Sequence, residues 1–274
     1  MTRKHRVRRF LAMMTLFAAG MNCLAAGQPA VAQNPSPEAR GLEIAREARK
    51  RGEGFGNLVS QLTMVLRTAK GQESRRQMRL KTLEVANAGD KTLFVFDRPA
   101  DVSGTAFLVH AHRDKPDDLW IFLPALNRVK RISSANQSGS FMGSEFAYED
   151  ITTQEIEKFT HKYLRDEPCG DLACTVSERT PVGEDSGYSR QLVWHDKKEY
   201  RPWRVEYYDR RNELLKTLTL ADYELHLDRY WYAGEQTMVN HLTGKSTVLK
   251  TSEVQLQAKL NERDFTRTGL RRAR

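Results

Sequence analysis

No stretch of this 274-residue chain holds the run of about eighteen apolar residues that a membrane-spanning helix requires. Catalytic signatures are equally scarce. There is no Walker A loop and no H-E-x-x-H. Gly52, Gly54 and Gly56 follow a helical pattern, the wrong context for a dinucleotide fingerprint. In Gly139-Ser140-Phe141-Met142-Gly143 a phenylalanine stands where a nucleophile elbow needs serine. These absences argue against an enzyme, and no cofactor is expected.

Excess charge is also missing once the leader is removed. The full chain has 44 basic and 35 acidic residues, net +9, but Arg3, Lys4, Arg6, Arg8 and Arg9 all precede an apolar run of ten residues, Phe10 to Ala19. Ala30-Val31-Ala32 is an A-x-A cleavage site, so residues 1–32 read as a signal peptide and residues 33–274 as one domain. Twin-arginine export and an uncleaved anchor are the alternatives. Gly20-Met21-Asn22 before Cys23 is a poor lipobox. The mature part is left with five fewer basic residues, a net charge near +4 with both signs interspersed, which does not suit nucleic-acid binding. The tail Arg271-Arg272-Ala273-Arg274 is either a solvated terminus or a contact for anionic headgroups.

Only three cysteines occur, one of them in the leader. Cys169 and Cys174 flank Gly-Asp-Leu-Ala, a turn-like sequence, and in an oxidising compartment they are expected to staple a hairpin; a metal site needs more ligands nearby.

What the chain does carry is alternation. Ser36, Pro37 and Glu38 start a helix that should run to about Arg51. Beyond it, period two dominates: Leu58, Leu62, Met64 and Leu66; Met78 and Leu80; Phe94 and Phe96; Phe107 and Val109; Trp120 and Phe122; Val129 and Ile132. After a break come Tyr188, Leu192 and Trp194; Trp203, Val205 and Tyr207; Leu214, Leu218 and Leu220; Tyr230 to Tyr232; Met238 to Leu242; and Thr247 to Thr251. Turns are expected at Asp209–Asn212, Ala233-Gly234 and Thr243-Gly244. Ten or eleven strands with short connections predict a mainly β (α+β) antiparallel meander. One segment, Ser133 to Tyr148, is rich in small residues yet carries Phe141, Met142, Phe146 and Tyr148, unusual for a plain solvent loop.

Two polar sets remain open. His110 and His112, at i and i+2 on a strand, could share a metal if His195 or His226 arrived by folding; surface histidines are the plainer reading. Glu149-Asp150 and Asp117-Asp118 are either turn and cap residues or an acid–base pair.

Several segments, in order, resemble one family: Asp118-Leu119-Trp120-Ile121-Phe122-Leu123-Pro124, Arg128-Val129-Lys130-Arg131-Ile132, Gly139 to Asp150 with its Ser-Phe-Met-Gly-Ser core, Tyr200-Arg201-Pro202-Trp203, Tyr207-Tyr208-Asp209, Thr243-Gly244-Lys245-Ser246-Thr247 and Asp264-Phe265-Thr266. Together they are similar to the outer-membrane lipoprotein-sorting-like proteins, a group akin to the LolA and LolB carriers. The resemblance implies an unclosed antiparallel β-barrel of about eleven strands with helices on its concave face and a hydrophobic cavity between. It also implies a periplasmic monomer in transient membrane contact, with a lipid or acylated protein as partner and an RND-type lipid exporter as neighbour. The expected cavity lining is Leu62, Met64, Met78, Phe94, Phe96, Phe107, Trp120, Phe122, Trp203 and Tyr207, with Phe141, Met142 and Phe146 on a lid. A ligand-free envelope scaffold and a hydrolase of envelope polymers are the competing readings.

Overall fold

The structure, a computed structural model, describes residues 34–86 and 88–273; the expected signal peptide lies outside them. Helix α1, Pro37–Gly52, begins where the sequence places it, with Ser36 Oγ accepting from the N–H of Ala39 at 3.1 Å and Pro37 in the first turn. Arg49, Lys50 and Arg51 end it, where cations oppose the helix dipole.

Thirteen strands follow: β1 Asn57–Arg67, β2 Glu73–Leu83, β3 Lys91–Arg98, β4 Ala106–His110, β5 Asp118–Leu123, β6 Arg128–Ile132, β7 Phe159–Cys169, β8 Leu172–Pro181, β9 Tyr188–Asp196, β10 Pro202–Asp209, β11 Leu214–His226, β12 Tyr230–Asn240 and β13 Ser246–Leu256. They form one antiparallel sheet in the order β6-β5-β4-β3-β2-β1-β13-β12-β11-β10-β9-β8-β7. The count exceeds the expected eleven. β7 and β8 were foreseen only as a hairpin stapled by Cys169 and Cys174 and not counted as strands. Tyr230–Tyr232 and Met238–Asn240 lie on one strand, β12, with no turn at Ala233-Gly234 and with His241 and Leu242 beyond its end.

The order has one consequence for function. β1 pairs with β13, joining the two ends of the meander, so the free edges are β6 and β7. Those edges are neighbours in sequence, and residues 133–158 must bridge the opening between them. Helix α1 packs on β7 and β8 and also touches β12, five places along the sheet from β7. A flat sheet could not offer both contacts to one helix, so the sheet is curled into an unclosed barrel with α1 across it. At the contact with β7, Gly41 has no room for a side chain: a Cβ there would lie 2.6 Å from the backbone nitrogen of Lys162.

Period two sorts the strand residues onto two faces. On the inner face Leu62 opposes Met78, Met78 opposes Phe96, and Phe94 opposes both Leu80 and Phe107. These join Val193, Val205, Tyr207, Leu218, Met238 and Leu249 in the largest buried cluster. The outer face of β3 to β5 is covered too. Phe265 and Leu270, from a 3-10 turn at Glu262–Phe265 and the short helix α2, Arg267–Arg272, pack on Leu93, Val95, Leu108 and Phe122. A third cluster, around Cys174, Val176, Leu192 and Trp194, lies on the outer face of β8 and β9. Cys169 and Cys174 are disulfide-bonded across the β7–β8 turn, with Cα atoms 5.8 Å apart.

Candidate functional site

The bridging segment dives into the barrel. Phe141 is 1% exposed and inserts among Phe94, Phe96 and Phe107, at ring-centroid distances of 5.6, 5.9 and 5.3 Å. Tyr148 stacks on Phe107 at 5.3 Å. Buried backbone must find partners, and this segment supplies its own: the N–H of Phe141 donates to Phe146 O at 2.7 Å, and that of Tyr148 to Gly139 O at 3.0 Å.

The inner wall supplies further anchors. Arg76 of β2 donates to the carbonyl of Met142. The N–H of Glu145 donates to Thr247 Oγ1 at 3.0 Å, and Asn240 Nδ2 donates to Glu145 Oε2 at 2.7 Å. Asp150 accepts from Lys216 Nζ at 2.6 Å, the Tyr188 hydroxyl at 2.8 Å and its own N-cap N–H, Ala147, at 2.6 Å. Glu149 accepts from Ser186 Oγ and the N–H of Gly187, while burial pushes its carboxyl above the usual range. Glu149 and Asp150 are therefore struts of the plug.

The plug fills part of the hollow and leaves a cavity of about 440 Å³ beside it. Leu58 and Leu62 of β1, Leu80 of β2, Phe94 of β3, Leu249 of β13 and Phe146 of the plug form its apolar wall. Thr82, Thr92, Asp150, Thr152, Thr153, Gln236 and Thr251 supply polar atoms, with Phe55, Ile151 and Tyr232 also lining it. Ser60, 1% exposed, also lines it, with no partner for its hydroxyl. The volume lies in the range of small-molecule sites, and a mainly apolar wall with a few polar groups is their usual composition.

This architecture recurs in solved structures. A domain from Vibrio parahaemolyticus described as an outer membrane lipoprotein-sorting protein has 52% sequence identity and a TM-score of 0.83, covering 85% of this chain and 98% of that one. The chain belongs to the outer-membrane lipoprotein-sorting, LolA-like family. A DUF1329 family protein from Desulfovibrio piger follows at 28% identity and a TM-score of 0.82, over 86% of this chain and all of that one. A LolA superfamily protein from Nitrosomonas europaea, at 21% identity and a TM-score of 0.69 over 84% and 98% of the two chains, shares the fold. A family model described as an uncharacterized protein matches residues 88–272. No curated protein matches.

Within this LolA-like barrel the expected lining residues divide three ways. Leu62, Phe94 and Phe146 reach the cavity. Met64, Met78, Phe96, Phe107, Phe141 and Tyr207 are on the inner face or plug but are packed into the core around it, and Met142 is partly buried against them. Trp120, Phe122 and Trp203 do not line the hollow. Trp120 and Phe122 alternate with the inward Leu119 and Ile121 and pack under Phe265 and Leu270 on the outer face. Trp203 packs against the outer cluster of β8 and β9, its indole N–H 3.3 Å from Asp196 Oδ2. Leu58, Leu80 and Leu249 line the cavity without having been singled out; Leu58 and Leu80 share the alternation of Leu62 and Met78.

His110 is the last residue of β4 and His112 lies in the loop beyond it, so the two do not share a strand face, and both are engaged. His110 Nε2 lies 2.8 Å from Phe265 O, and His112 Nε2 lies 3.0 Å from Asp118 Oδ2. Asp117 accepts from the N–H of His112 and from Lys158 Nζ, so this acidic pair braces loops. Among the described residues no group of three or more His, Cys, Asp or Glu is placed to hold a metal ion.

Proposed function

We propose that the protein is a periplasmic carrier that shelters an acyl chain, from a lipid or an acylated protein, in the cavity between the plug and strands β1, β2, β3 and β13. The observation that carries this reading is an apolar hollow of about 440 Å³ left open on the concave face of a LolA-like barrel. Each methylene taken from water is worth about 0.8 kcal/mol, so a sixteen-carbon tail gains on the order of 12 kcal/mol. The plug side chain Phe146 borders that space, Phe141 is packed in the core around it, and both would yield to longer cargo, exchanging one apolar contact for another. Residues 1–32 then act as the export signal, residues 33–274 as the carrier domain, and transfer calls for transient membrane contact by a monomer. An RND-type lipid exporter is the membrane partner this reading names, and no catalytic step is required.

The competing reading is a ligand-free envelope scaffold. The observation in its favour is the depth of Phe141, which fills hollow that a larger guest would need. Native mass spectrometry of the mature protein taken from its periplasm separates the two. Lipid-sized adducts on the wild type, lost from a Leu80→Trp variant that fills the cavity, support the carrier. A bare polypeptide mass, together with no uptake of added fluorescent fatty acid, supports the scaffold.

A further inference from the structure

One rung of the sheet is unlike the rest of the inner face. His161 of β7 opposes Arg179 of β8, Arg179 opposes Gln191 of β9, Gln191 opposes Tyr207 of β10, and Tyr207 opposes Lys216 of β11. Directly paired residues share a face about 5 Å apart, and Tyr207 lies in the inner core cluster. Five hydrogen-bonding side chains thus cross the interior in a row. The ends are engaged: His161 Nε2 lies 3.0 Å from Ile156 O, and Lys216 serves Asp150 and Glu145 O.

The centre is not. Arg179 spends only Nε, on Gln191 Oε1 at 2.7 Å, and rests over the Phe159 ring at 4.8 Å. Both of its terminal nitrogens, the Gln191 amide nitrogen and the Tyr207 hydroxyl have no hydrogen-bond partner among the described residues, and Gln191 and Tyr207 are otherwise buried. Further along β9, beyond the Val193 rung, His195 carries a buried Nδ1 with no partner. No carboxylate among the described residues makes an ion pair with Arg179; Asp150, whose field reaches it, is committed to Lys216. Arg179 is partly rather than fully buried, and neither its terminal nitrogens nor the Gln191 amide nitrogen nor the Tyr207 hydroxyl is among the sealed, unpartnered atoms. Each of these four groups therefore stays open to an incoming anion, and a guanidinium in a partly desolvated setting gains from one. Its free fork matches two oxygens of a carboxylate or phosphate.

We infer that Arg179, Gln191 and Tyr207 form an anion-binding site inside the barrel that takes a carboxylate or phosphate group. The donor types and their row admit either a free small anion or the headgroup of an anionic lipid; the second source rests on the carrier reading above.

Thermal unfolding in inorganic phosphate against chloride at matched ionic strength tests the site without any lipid. Wild type should gain at least about 3 °C more in phosphate than Arg179→Gln does. Tyr207→Phe removes one donor, keeps the ring, and should lose part of that gain; it carries the comparison if Arg179→Gln does not fold. Binding of palmitate and of methyl palmitate identifies the source. A preference for palmitate of about tenfold or more in wild type, lost in the variants, assigns the site to a lipid headgroup. A variant-dependent phosphate effect without that preference assigns it to a free anion. Equal phosphate responses and equal palmitate binding in wild type and both variants overturn the inference. Failure of both palmitate and its ester to bind bears on the carrier reading alone.

Discussion

Lys216 and Asp150 form an ion pair at 2.6 Å with side chains only 5% and 2% exposed, and it joins strand β11 to the plug across the interior of the barrel. Removing one partner strands the other charge in a desolvated site. Lys216→Met and Asp150→Asn should each cost about 3–5 kcal/mol by chemical denaturation. A Lys216→Met, Asp150→Leu double variant should recover a large share of that loss, because the cost comes from the orphaned charge. Additive losses in the double variant would show that the pair does not act as a unit.

The disulfide contributes through the unfolded state. Its loop is short, with four residues between Cys169 and Cys174, so the chain-entropy account assigns it about 2 kcal/mol. A Cys169→Ser, Cys174→Ser double variant should shift the denaturation midpoint by that amount with an unchanged slope. A much larger loss would mean that the β7–β8 hairpin depends on the bridge for its conformation.

Alternation alone identified most of the inner face, because β1 to β4 bury one side with large apolar residues and leave the other mixed. It failed where that contrast fades. β7 and β8 present His161 and Arg179 to the interior, and β7 carries a register shift between Tyr163 and Arg165, so no apolar period-two signal survives. On β5 the run Leu119-Trp120-Ile121-Phe122 is apolar on both faces, since a C-terminal element far away in sequence covers the outer one. No local pattern could say which pair points inward. Gly234 looks like a turn residue, yet it occupies mid-strand because a Cβ would lie 2.7 Å from Asp222 O in the neighbouring strand. The plug was visible as an odd mixture of small residues and aromatics; that it fills the hollow depends on Arg76, Lys216, Asn240 and Thr247, which reach it from four different strands.

His195 should set an acid limit on stability. Burial first, then the positive field of Arg179, lowers its imidazole from 6.5 to about 4. The unfolded chain therefore binds more protons than the folded one between those values, and stability rises with pH across that window. Acidification from about pH 6.5 to pH 4 should cost up to about 3 kcal/mol from this group. His195→Gln should flatten that part of the profile by the same amount in denaturant titrations taken at several pH values. An unchanged slope in the variant would show that His195 titrates normally.

Phe141 decides whether the plug is only core or also a gate. Its ring contacts three other phenylalanines and is 1% exposed, so Phe141→Ala should destabilise the protein by about 3–5 kcal/mol whichever role it plays. The two roles differ in what happens to hydrocarbon uptake. An apolar void beside the 440 Å³ cavity enlarges the space open to a guest and removes side-chain contacts that cargo would displace. As a gate, Phe141→Ala should bind fluorescent fatty acid faster and more tightly than wild type under conditions where both remain folded. Arg76→Leu, which frees the Met142 carbonyl without opening a void in the phenylalanine cluster, should raise the association rate with little change in capacity. Were both variants less stable yet identical to wild type in uptake, the segment would be core, and the carrier would have to admit its guest by another path.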